Sequence, residues 1–406
     1  MSGIPRGEMM TRHGGGTMTF RIEPPTGRPI ISAVTGTNGK TSVATATRQL
    51  MTLIGWRAAG YDSTGVTDVD GVLRESRVRR SPDYLPELID AQARAGARAL
   101  SIEAFVGILA DGLFDRVSVD TAVSTGLERD HIDVHRSVEG YWNAKLRLFR
   151  EYLRPDGLAI ISAESAQGDL VREAADRRGI RVIVVGDGGD LHTEAVREEE
   201  GRLVGVLRVE GTPHRISLPT VHSVAVTNLL LAAAAVIGAG GEPAAVADAL
   251  AHVEPPPGRL QLIAEKDGVT AMVDTAHNPG ALRVALRSVR ARTAGRIILV
   301  FGAGGERDRG KRSQMGAIAA ELADVAILTD DNPRREPPDR IRAEVRAGVP
   351  DALEIPSRVD AIHAALQMAR PGDLVLVAGK GDETTQIVGT VKVPHDDREV
   401  LRRALA

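Results

Sequence analysis

"ISAVTGTNGKTSVATATRQL", residues 31 to 50, decides how the N-terminal half of this 406-residue chain is predicted to fold. An apolar run reaches Gly36, a glycine-rich turn follows, and an alternating helical pattern begins after Gly39. A strand, a Gly-x-x-Gly-Lys-Thr turn and a helix start form the setting in which backbone N–H groups bind phosphate. The stretch therefore predicts a nucleotide-phosphate site. Its predicted contacts are Gly36, Thr37, Asn38, Gly39, Lys40, Thr41 and Ser42.

Side chains of this loop carry predicted chemistry of their own. Lys40 can reach the outer phosphates, and the hydroxyl of Thr41 or Ser42 can bind Mg²⁺. The loop is shorter than the common Walker spacing. A plain glycine turn with an accidental lysine is the alternative interpretation, which the strand–loop–helix setting disfavours.

Composition excludes several classes of function. The net charge of −3 and the 3% aromatic content argue against nucleic acid and membrane surfaces as partners. The sequence has no cysteine, which excludes disulfides, thiol catalysis and zinc–thiolate sites. No apolar run approaches the ~20 residues of a membrane helix. Residues 1–28 lack the apolar core of a signal peptide, so we expect a flexible leader and a cytoplasmic enzyme.

Apolar runs alternate with helical segments, which predicts an α/β fold with a mainly parallel sheet. Strands are predicted at 29–35, 98–103, 120–125, 157–162 and 180–185, and helices at 40–54, 83–95 and 137–151. Residues 202–218 indicate two further strands, and 224–252 a helical pair.

The triple proline of "EPPPGRLQ", residues 254–261, ends a helix and stiffens a linker. A second alternating series follows it. Its strands are predicted at 269–274, 296–301, 324–329 and 373–377, and its helices at 280–291, 311–322, 338–347, 357–369 and 397–405. We therefore predict a P-loop-type central domain over 29–255 and a Rossmann-like α/β domain over 256–406.

Three polar residues outside the loop are candidates for metal chemistry. Glu103 ends an apolar strand, and strand ends of a parallel sheet border the ligand crevice. His131 follows another strand end, beside Asp130. Lys145 lies in a helix with a core-facing stripe, where a lysine usually extends its charge to solvent. Taken alone, Glu103 could equally be a surface carboxylate and His131 a structural loop histidine. Lys145 on its own would more commonly be a snorkelling side chain than a functional one.

Several separated motifs resemble, in order, those of the Mur ligases, ATP-dependent enzymes that join a carboxylate to an amino acid. These motifs are "GTNGKTS", "RSPDYL", "ERDHIDVH", "NAKLRLF", "PGRLQ", "DTAHNPGAL", "FGAGGERDRGKR", "TDDNPRREPP" and "AGKGDETTQIVG". The resemblance covers residues 30–406 and is strongest to the branch that adds diaminopimelate as the third residue of the peptidoglycan stem peptide.

The resemblance implies catalysis through an acyl phosphate with ATP, two Mg²⁺ ions and the catalytic residues Lys40, Lys145 and His131. Lys145 matches a lysine that family members carbamylate with CO₂. The implied metal ligands are Thr41, Glu103, His131 and Lys145. The implied nucleotide contacts outside the loop are Asn228, Arg259, Asp274 and His277, with Asp274 at the ribose.

The resemblance also implies a pocket for the incoming amino acid. "DNPR", residues 331–334, is similar to the motif that binds the far end of diaminopimelate. Arg334 can hold a carboxylate with two parallel hydrogen bonds. Further implied contacts are Asp331, Asn332, Arg307, Gly379 and Glu383. A surface charge after an Asn-Pro turn is the alternative for Arg334.

The acid side departs from the family pattern. Arg80-Ser81-Pro82 stands where the family has Thr-Thr-Pro, and 103–107 lacks the family's serines and histidine. Ala225 stands where the family has an adenine-binding asparagine, and we expect no counterpart of the family's UDP-binding domain. We therefore expect a small non-UDP carboxylate, with Arg80 and Ser81 at its second carboxyl group. The alternatives are the peptidoglycan tripeptide synthetase, a folate polyglutamate ligase, an intramolecular carboxylate activation, and a nucleotide-binding regulator without turnover.

Overall fold

The computed structural model describes residues 20–74, 81–127, 137–165, 167–220, 223–291 and 293–406. The strands up to residue 218 form one 11-stranded sheet, and those from 261 to 378 form a six-stranded sheet. A two-stranded hairpin follows. Within the described residues, no helix is both long enough and apolar enough to cross a bilayer.

The first sheet is parallel at its centre and antiparallel at its edges. Its order is β11-β10-β9-β8-β7-β6-β1-β5-β2-β3-β4, with parallel pairing from β9 through to β2. Its strands are β1 Ile30–Thr35, β2 Ala58–Asp62, β3 Gly65–Thr67, β4 Leu73–Arg74, β5 Ala99–Glu103, β6 Val119–Ser124, β7 Leu153–Ser162, β8 Arg181–Val185, β9 Leu191–Glu199, β10 Arg202–Val209 and β11 Thr212–Leu218.

Helices cover both faces of this sheet, and β1 is therefore buried at every residue. They are α1 Lys40–Leu53, α2 Tyr84–Arg94, α3 Val106–Ala110, α4 Val138–Arg147, α5 Gly168–Asp176, α6 Ser223–Gly238 and α7 Pro243–Ala249. The alanine- and leucine-rich α6 is buried from Leu229 to Gly238 and packs against α1 in the core of one face. An apolar strand buried on both faces is typical of parallel sheets.

The second sheet has the order β12-β13-β17-β14-β15-β16, and only β12 is antiparallel to its neighbour. Its strands are β12 Gln261–Lys266, β13 Val269–Asp274, β14 Ile297–Phe301, β15 Val325–Leu328, β16 Leu353–Glu354 and β17 Leu374–Ala378. The helices are α8 Pro279–Arg290, α9 Gly310–Leu322, α10 Pro338–Arg346, α11 Arg358–Met368 and α12 Asp397–Leu405, and the hairpin is β18 Thr385–Val388 with β19 Val391–Pro394.

The predicted α/β class is confirmed, and each predicted strand and helix has an observed counterpart within a few residues. Two details of the predicted segments differ from the expectations, and β2 and β9 are among the strands that were not predicted. The helix predicted over 137–151 ends at Arg147 and continues as one π-helical turn, Leu148–Tyr152. Within the predicted leader, Phe20 and Ile22 are buried, and the Ile22 amide donates to the Gly238 carbonyl. The domain boundary near 256 stays a prediction.

Candidate active site

The glycine-rich loop lies between β1 and α1, against the segment that follows β6. Gly36 has a φ of 141°, and a Cβ there would overlap Thr125 Oγ1 and lie 3.0 Å from the Gly126 carbonyl. Gly39 has a φ of 84°, and its Cβ would lie 2.8 Å from Asn228 Oδ1 on α6. Both positions therefore require glycine.

The start of α1 is suited to an anion. Gly39 occupies the N-cap position, and it supplies no side-chain cap for the first N–H groups of the helix. Those groups carry the positive end of the helix dipole and bind phosphate oxygens in such loops. Lys40 is the first helical residue, and its ammonium donates to the Thr37 carbonyl over 2.9 Å.

Below the loop, a buried hydroxyl meets a buried carboxylate. Thr41 Oγ1 donates to Glu103 Oε2 over 2.9 Å, and the Ser63 amide donates to the same oxygen over 3.1 Å. Thr41 and Glu103 are each 4% exposed. Hydroxyl and carboxylate oxygens are the donors that Mg²⁺ prefers, so Thr41 and Glu103 fit the predicted magnesium site. Sequence reasoning missed Ser63.

Lys145 lies beside the same loop and does not reach solvent. It is 1% exposed, its ammonium donates to the Gly36 carbonyl over 2.6 Å, and it lies 4.6 Å from the centroid of the Tyr141 ring. The structure thus excludes the snorkelling interpretation. His131, Asp130 and Arg80 lie outside the described residues, and Ser81 lies in the turn before α2.

A cavity of about 510 Å³ opens from the loop, between the two sheets. Its mixed lining of apolar and polar side chains fits a nucleotide. The lining includes the predicted contacts Asn38, Gly39, Ser42, Asn228, Arg259 and Asp274, as well as Ala225. His277 is exposed and lies outside the lining, and its ring nitrogen Nδ1 is 2.7 Å from the Thr275 carbonyl.

Asp274 is the last residue of β13, and it lines this cavity. Its two carboxylate oxygens accept the amides of Leu260 over 2.7 Å and Ala276 over 2.8 Å. Burial raises the pKa of Asp274, although Arg259 and the two amides favour its charged form. Each oxygen retains a lone pair, so the carboxylate can accept a hydroxyl from a ligand.

Two hydrogen bonds join the phosphate loop to the second half of the chain. Arg259 donates to Thr41 Oγ1 over 3.1 Å, and Asn278 Nδ2 donates to Asn38 Oδ1 over 3.1 Å. Asn278 also caps α8 by accepting the Ala281 amide. Sequence reasoning missed Asn278, although an asparagine directly before Pro-Gly at a helix start is a recognisable N-cap signal.

The amino-acid motif forms a turn after β15. Arg334 donates to the Gly305 carbonyl over 2.8 Å, and burial with Arg307 nearby lowers the pKa of its guanidinium. Asp331 is buried, whereas Arg307 is exposed. The Gly379 amide donates to the carbonyl of Asp274 over 2.9 Å, which connects this pocket to the nucleotide cavity. Arg334 is thus part of a packed turn and not a free surface charge.

Asn332 differs from the expectation that it receives the amine of the amino acid. Its Oδ1 accepts Lys380 Nζ over 3.0 Å and the Ile387 amide over 2.9 Å, and its Nδ2 donates to Glu383 Oε2 over 2.8 Å. Since a carbonyl oxygen has two lone pairs, the acceptor capacity of Asn332 is already used. The carboxylates of Asp331 and Glu383 are the better amine acceptors.

Three aromatic rings, those of Tyr61, Tyr84 and Phe105, lie close together near the end of β5. Tyr61 lies 5.9 Å from Tyr84 and 6.3 Å from Phe105 between ring centroids. Tyr61 is 1% exposed, and its hydroxyl has no hydrogen-bond partner within the described structure. Phe105 belongs to the segment 103–107 that departs from the family pattern.

A glycine-rich loop at a helix start, a buried hydroxyl–carboxylate pair and a cavity between two α/β sheets indicate a nucleotide-dependent enzyme. Two family models match the chain, the Mur ligase middle domain over residues 34–236 and the Mur ligase glutamate ligase domain over 258–381. The chain belongs to the Mur ligase family. It is therefore an ATP-dependent ligase that forms C–N bonds.

Curated relatives and solved structures agree with this assignment. The UDP-N-acetylmuramoyl-L-alanyl-D-glutamate–2,6-diaminopimelate ligase of Bradyrhizobium diazoefficiens is 42% identical over 392 residues, covering 95% of this chain and 80% of the relative. The ligase of the same name from Zymomonas mobilis is 40% identical, with coverages of 93% and 79%.

A solved structure of a ligase with that name is 30% identical, with a TM-score of 0.62, and covers 95% of this chain and 79% of its own. The Mycobacterium tuberculosis folylpolyglutamate synthase, complexed with ADP and AMPPCP, shares the fold at 20% identity, with a TM-score of 0.67 and coverages of 87% and 88%. The expected non-UDP acid finds no support here, since the two curated relatives are named for a UDP-linked acid.

Proposed function

We propose that the chain joins a carboxylate to the amine of diaminopimelate, or of an amino acid with a similar distal head group. The observation that carries the proposal is the position of the "DNPR" turn beside the nucleotide cavity: Asp331 packs against Gly379, whose amide donates to the carbonyl of Asp274 in the cavity lining. The names of the relatives support diaminopimelate as the amino acid.

In this reaction the acid's carboxylate attacks the γ-phosphorus of ATP, ADP leaves, and an acyl phosphate forms. The amine then attacks the acyl carbon, phosphate leaves, and the amine loses a proton. Lys40 and the first N–H groups of α1 bind the phosphates. Thr41 and Glu103 would hold Mg²⁺, which when bound neutralises charge on the phosphates.

Lys145 is proposed to carry a carbamate. The neutral amine would add to the carbon of CO₂ and lose a proton, which replaces a buried cation by an anion. Burial of Lys145 and its contact with the Gly36 carbonyl support this role, because they place the side chain beside the phosphate loop. His131 is proposed to act beside it on the strength of the family motif alone.

For the amino acid, Arg334 and Arg307 would face the distal carboxylate, and Asp331 and Glu383 the distal ammonium. Arg334 is suited to binding a carboxylate because, within the described residues, its hydrogen bonds to the Gly305 and Asn332 carbonyls both come from one terminal nitrogen, Nη1. The second nitrogen can donate to a carboxylate. Pairing of opposite charges in a half-buried pocket selects amino acids with a second zwitterionic end.

We infer a UDP-linked muramoyl dipeptide acid as the first candidate acid, following the relatives. The aromatic group of Tyr61, Tyr84 and Phe105 favours a second candidate, an acid without UDP. Phe105 lies in the segment 103–107 that departs from the family pattern, and its apolar ring differs in chemistry from the family's serine and histidine side chains.

The experiment is ADP release with Mg-ATP and bicarbonate, while acid and amino acid are varied separately. UDP-N-acetylmuramoyl-L-alanyl-D-glutamate is compared with the same acid without UDP, and diaminopimelate with lysine. Release that requires diaminopimelate, and is lost in Lys145→Ala, supports the proposal. Release that is indifferent to every amino acid would instead indicate activation of a carboxylate within one molecule.

A further inference from the structure

Lys380, which follows β17, is fully buried in the wall of the amino-acid pocket. Its ammonium donates to the Thr385 carbonyl over 2.8 Å, to Asn332 Oδ1 over 3.0 Å and to Glu383 Oε2 over 3.3 Å. An ammonium has three protons, so these three acceptors use all of its donors. Asp331 Oδ1, 3.7 Å away, adds a second countercharge.

This arrangement fixes the orientation of Asn332. Lys380 and the Ile387 amide can only donate, so the oxygen of the Asn332 amide must face them and its nitrogen must face Glu383. Glu383 Oε2 therefore receives both Asn332 Nδ2 and Lys380 Nζ. The Glu383 side chain remains 49% exposed, so its carboxylate is oriented by the protein and still open to a ligand.

The backbone of the same turn is unfavourable without such support. Asn332 has a φ of 44° and Arg334 a φ of 52°, in the left-handed region that residues other than glycine rarely adopt. The backbone N–H of Asn332 donates to Gln386 Oε1, and the backbone N–H of Arg334 donates to the Ile387 carbonyl. Together with Lys380, these contacts attach the turn to β18 and set the direction of Arg334.

We propose that Lys380 is a positioning residue that sets the affinity for the incoming amino acid through Asn332 and Glu383. The inference rests on the proposed function, and it goes beyond it by assigning a role to a side chain that contacts no substrate. Without the ammonium, Asp331 and Glu383 lose their nearest lysine countercharge, and the Asn332 side-chain oxygen loses one of its two donors. The nucleotide cavity does not include Lys380, so ATP binding keeps its wild-type affinity.

The test compares Lys380→Met with wild type in steady-state kinetics with diaminopimelate and with ATP. We expect the KM for diaminopimelate to rise about tenfold or more, as misplaced binding groups commonly cause, while the KM for ATP is unchanged. Lys392→Met, which alters an exposed lysine on β19, is the matched control. A role in stability alone would lower the active fraction and leave both KM values in place.

A double-mutant cycle shows whether Lys380 acts through Asn332. Asn332→Ala should raise the KM for diaminopimelate similarly, and Lys380→Met combined with Asn332→Ala should add little to either change. Fully additive effects would contradict the proposed route. If Lys380→Met does not fold, Lys380→Arg serves instead, because a planar guanidinium cannot reproduce the three converging bonds. An unchanged KM for diaminopimelate in the variant that folds overturns the proposal.

The two hypotheses fail in different ways. If the wild type releases no ADP in response to diaminopimelate, the proposed function is wrong. If the wild type responds and the Lys380 variants retain its KM for diaminopimelate, the positioning role alone is wrong. Calorimetric titration of diaminopimelate into each variant gives the same comparison without turnover.

Discussion

Replacing Asp397 by asparagine should destabilise the second sheet strongly. Asp397 is 0% exposed, and its carboxylate accepts Arg358 Nε and Nη2, each over 2.8 Å, as well as His395 Nε2 at 2.7 Å. Despite burial, the charge of Arg358 holds the pKa of Asp397 well below its usual range. Arg358 also donates to the Ala378 carbonyl, directly before the amino-acid pocket.

Asp397→Asn keeps the volume of the side chain and removes its charge, so the buried Arg358 loses its directly hydrogen-bonded countercharge. Breaking such a pair typically costs about 3–5 kcal/mol. For a unit of this size, each kcal/mol lowers the melting temperature by roughly 3 °C. We therefore expect the transition that includes the second sheet to fall by roughly 10 °C.

Scanning calorimetry is the suitable assay, because both tryptophans, Trp56 and Trp142, belong to the first half of the chain. Glu399→Gln on the same helix is the control, since its pair with Arg402 is 49% exposed on both sides. Such surface pairs contribute about 0–1 kcal/mol. A shift for Asp397→Asn no larger than that of Glu399→Gln would refute the reasoning.

Gly39→Ala should weaken Mg-ATP binding about tenfold with unchanged secondary structure, because a left-handed φ is costly for alanine and the added Cβ would lie 2.8 Å from Asn228 Oδ1. Calorimetric titration with Mg-ATP measures the change in affinity. Tyr61→Phe should raise the free energy of unfolding by about 1 kcal/mol, since it removes a buried, unpartnered hydroxyl; a loss of stability would contradict this. The hydrogen bond from Arg312 lowers the pKa of Glu336 to about 2, against 4.5 when unfolded. The stabilisation of the folded state by the Glu336 carboxylate is therefore fully present above about pH 4.5 and is lost as the pH falls towards 2. Glu336→Gln should make the melting temperature depend less on pH within this range.

The sequence was sufficient to predict those helices and strands whose local residue pattern agrees with their environment in the fold. The phosphate loop and α1 follow from glycines at positive φ before an alternating helix. β2, "AAGYD", was missed because alanine and glycine have little strand propensity; it becomes a strand by pairing with β5. β9 was missed because its residues from Glu194 onward are exposed and mostly charged, in the part of the sheet that continues as the antiparallel strands β10 and β11.

The sequence predicted which motif residues lie near the candidate site, but not the contacts between side chains that are distant along the chain. Thr41 and Glu103 lie together because two adjacent parallel strands end at one edge, as expected from their positions. The sequence did not show that the Asn332 side-chain oxygen accepts hydrogen bonds from Lys380 and Ile387, which makes the expected contact with the substrate amine less favourable. No sequence pattern shows that a lysine is buried among acceptors distant in the chain.

The hydroxyl of Thr41 shows how metal binding and the contact between the two sheets are compatible. A hydroxyl has one proton and two lone pairs. The proton goes to Glu103, and Arg259 from the second half of the chain occupies one lone pair. The remaining lone pair faces Ser63 Oγ at 3.3 Å, a long contact that a magnesium ion can replace. A magnesium ion bound as proposed would therefore compete with Ser63 and leave Arg259 in place, so the hydrogen bond from Arg259 to Thr41 would persist when the phosphate loop is occupied.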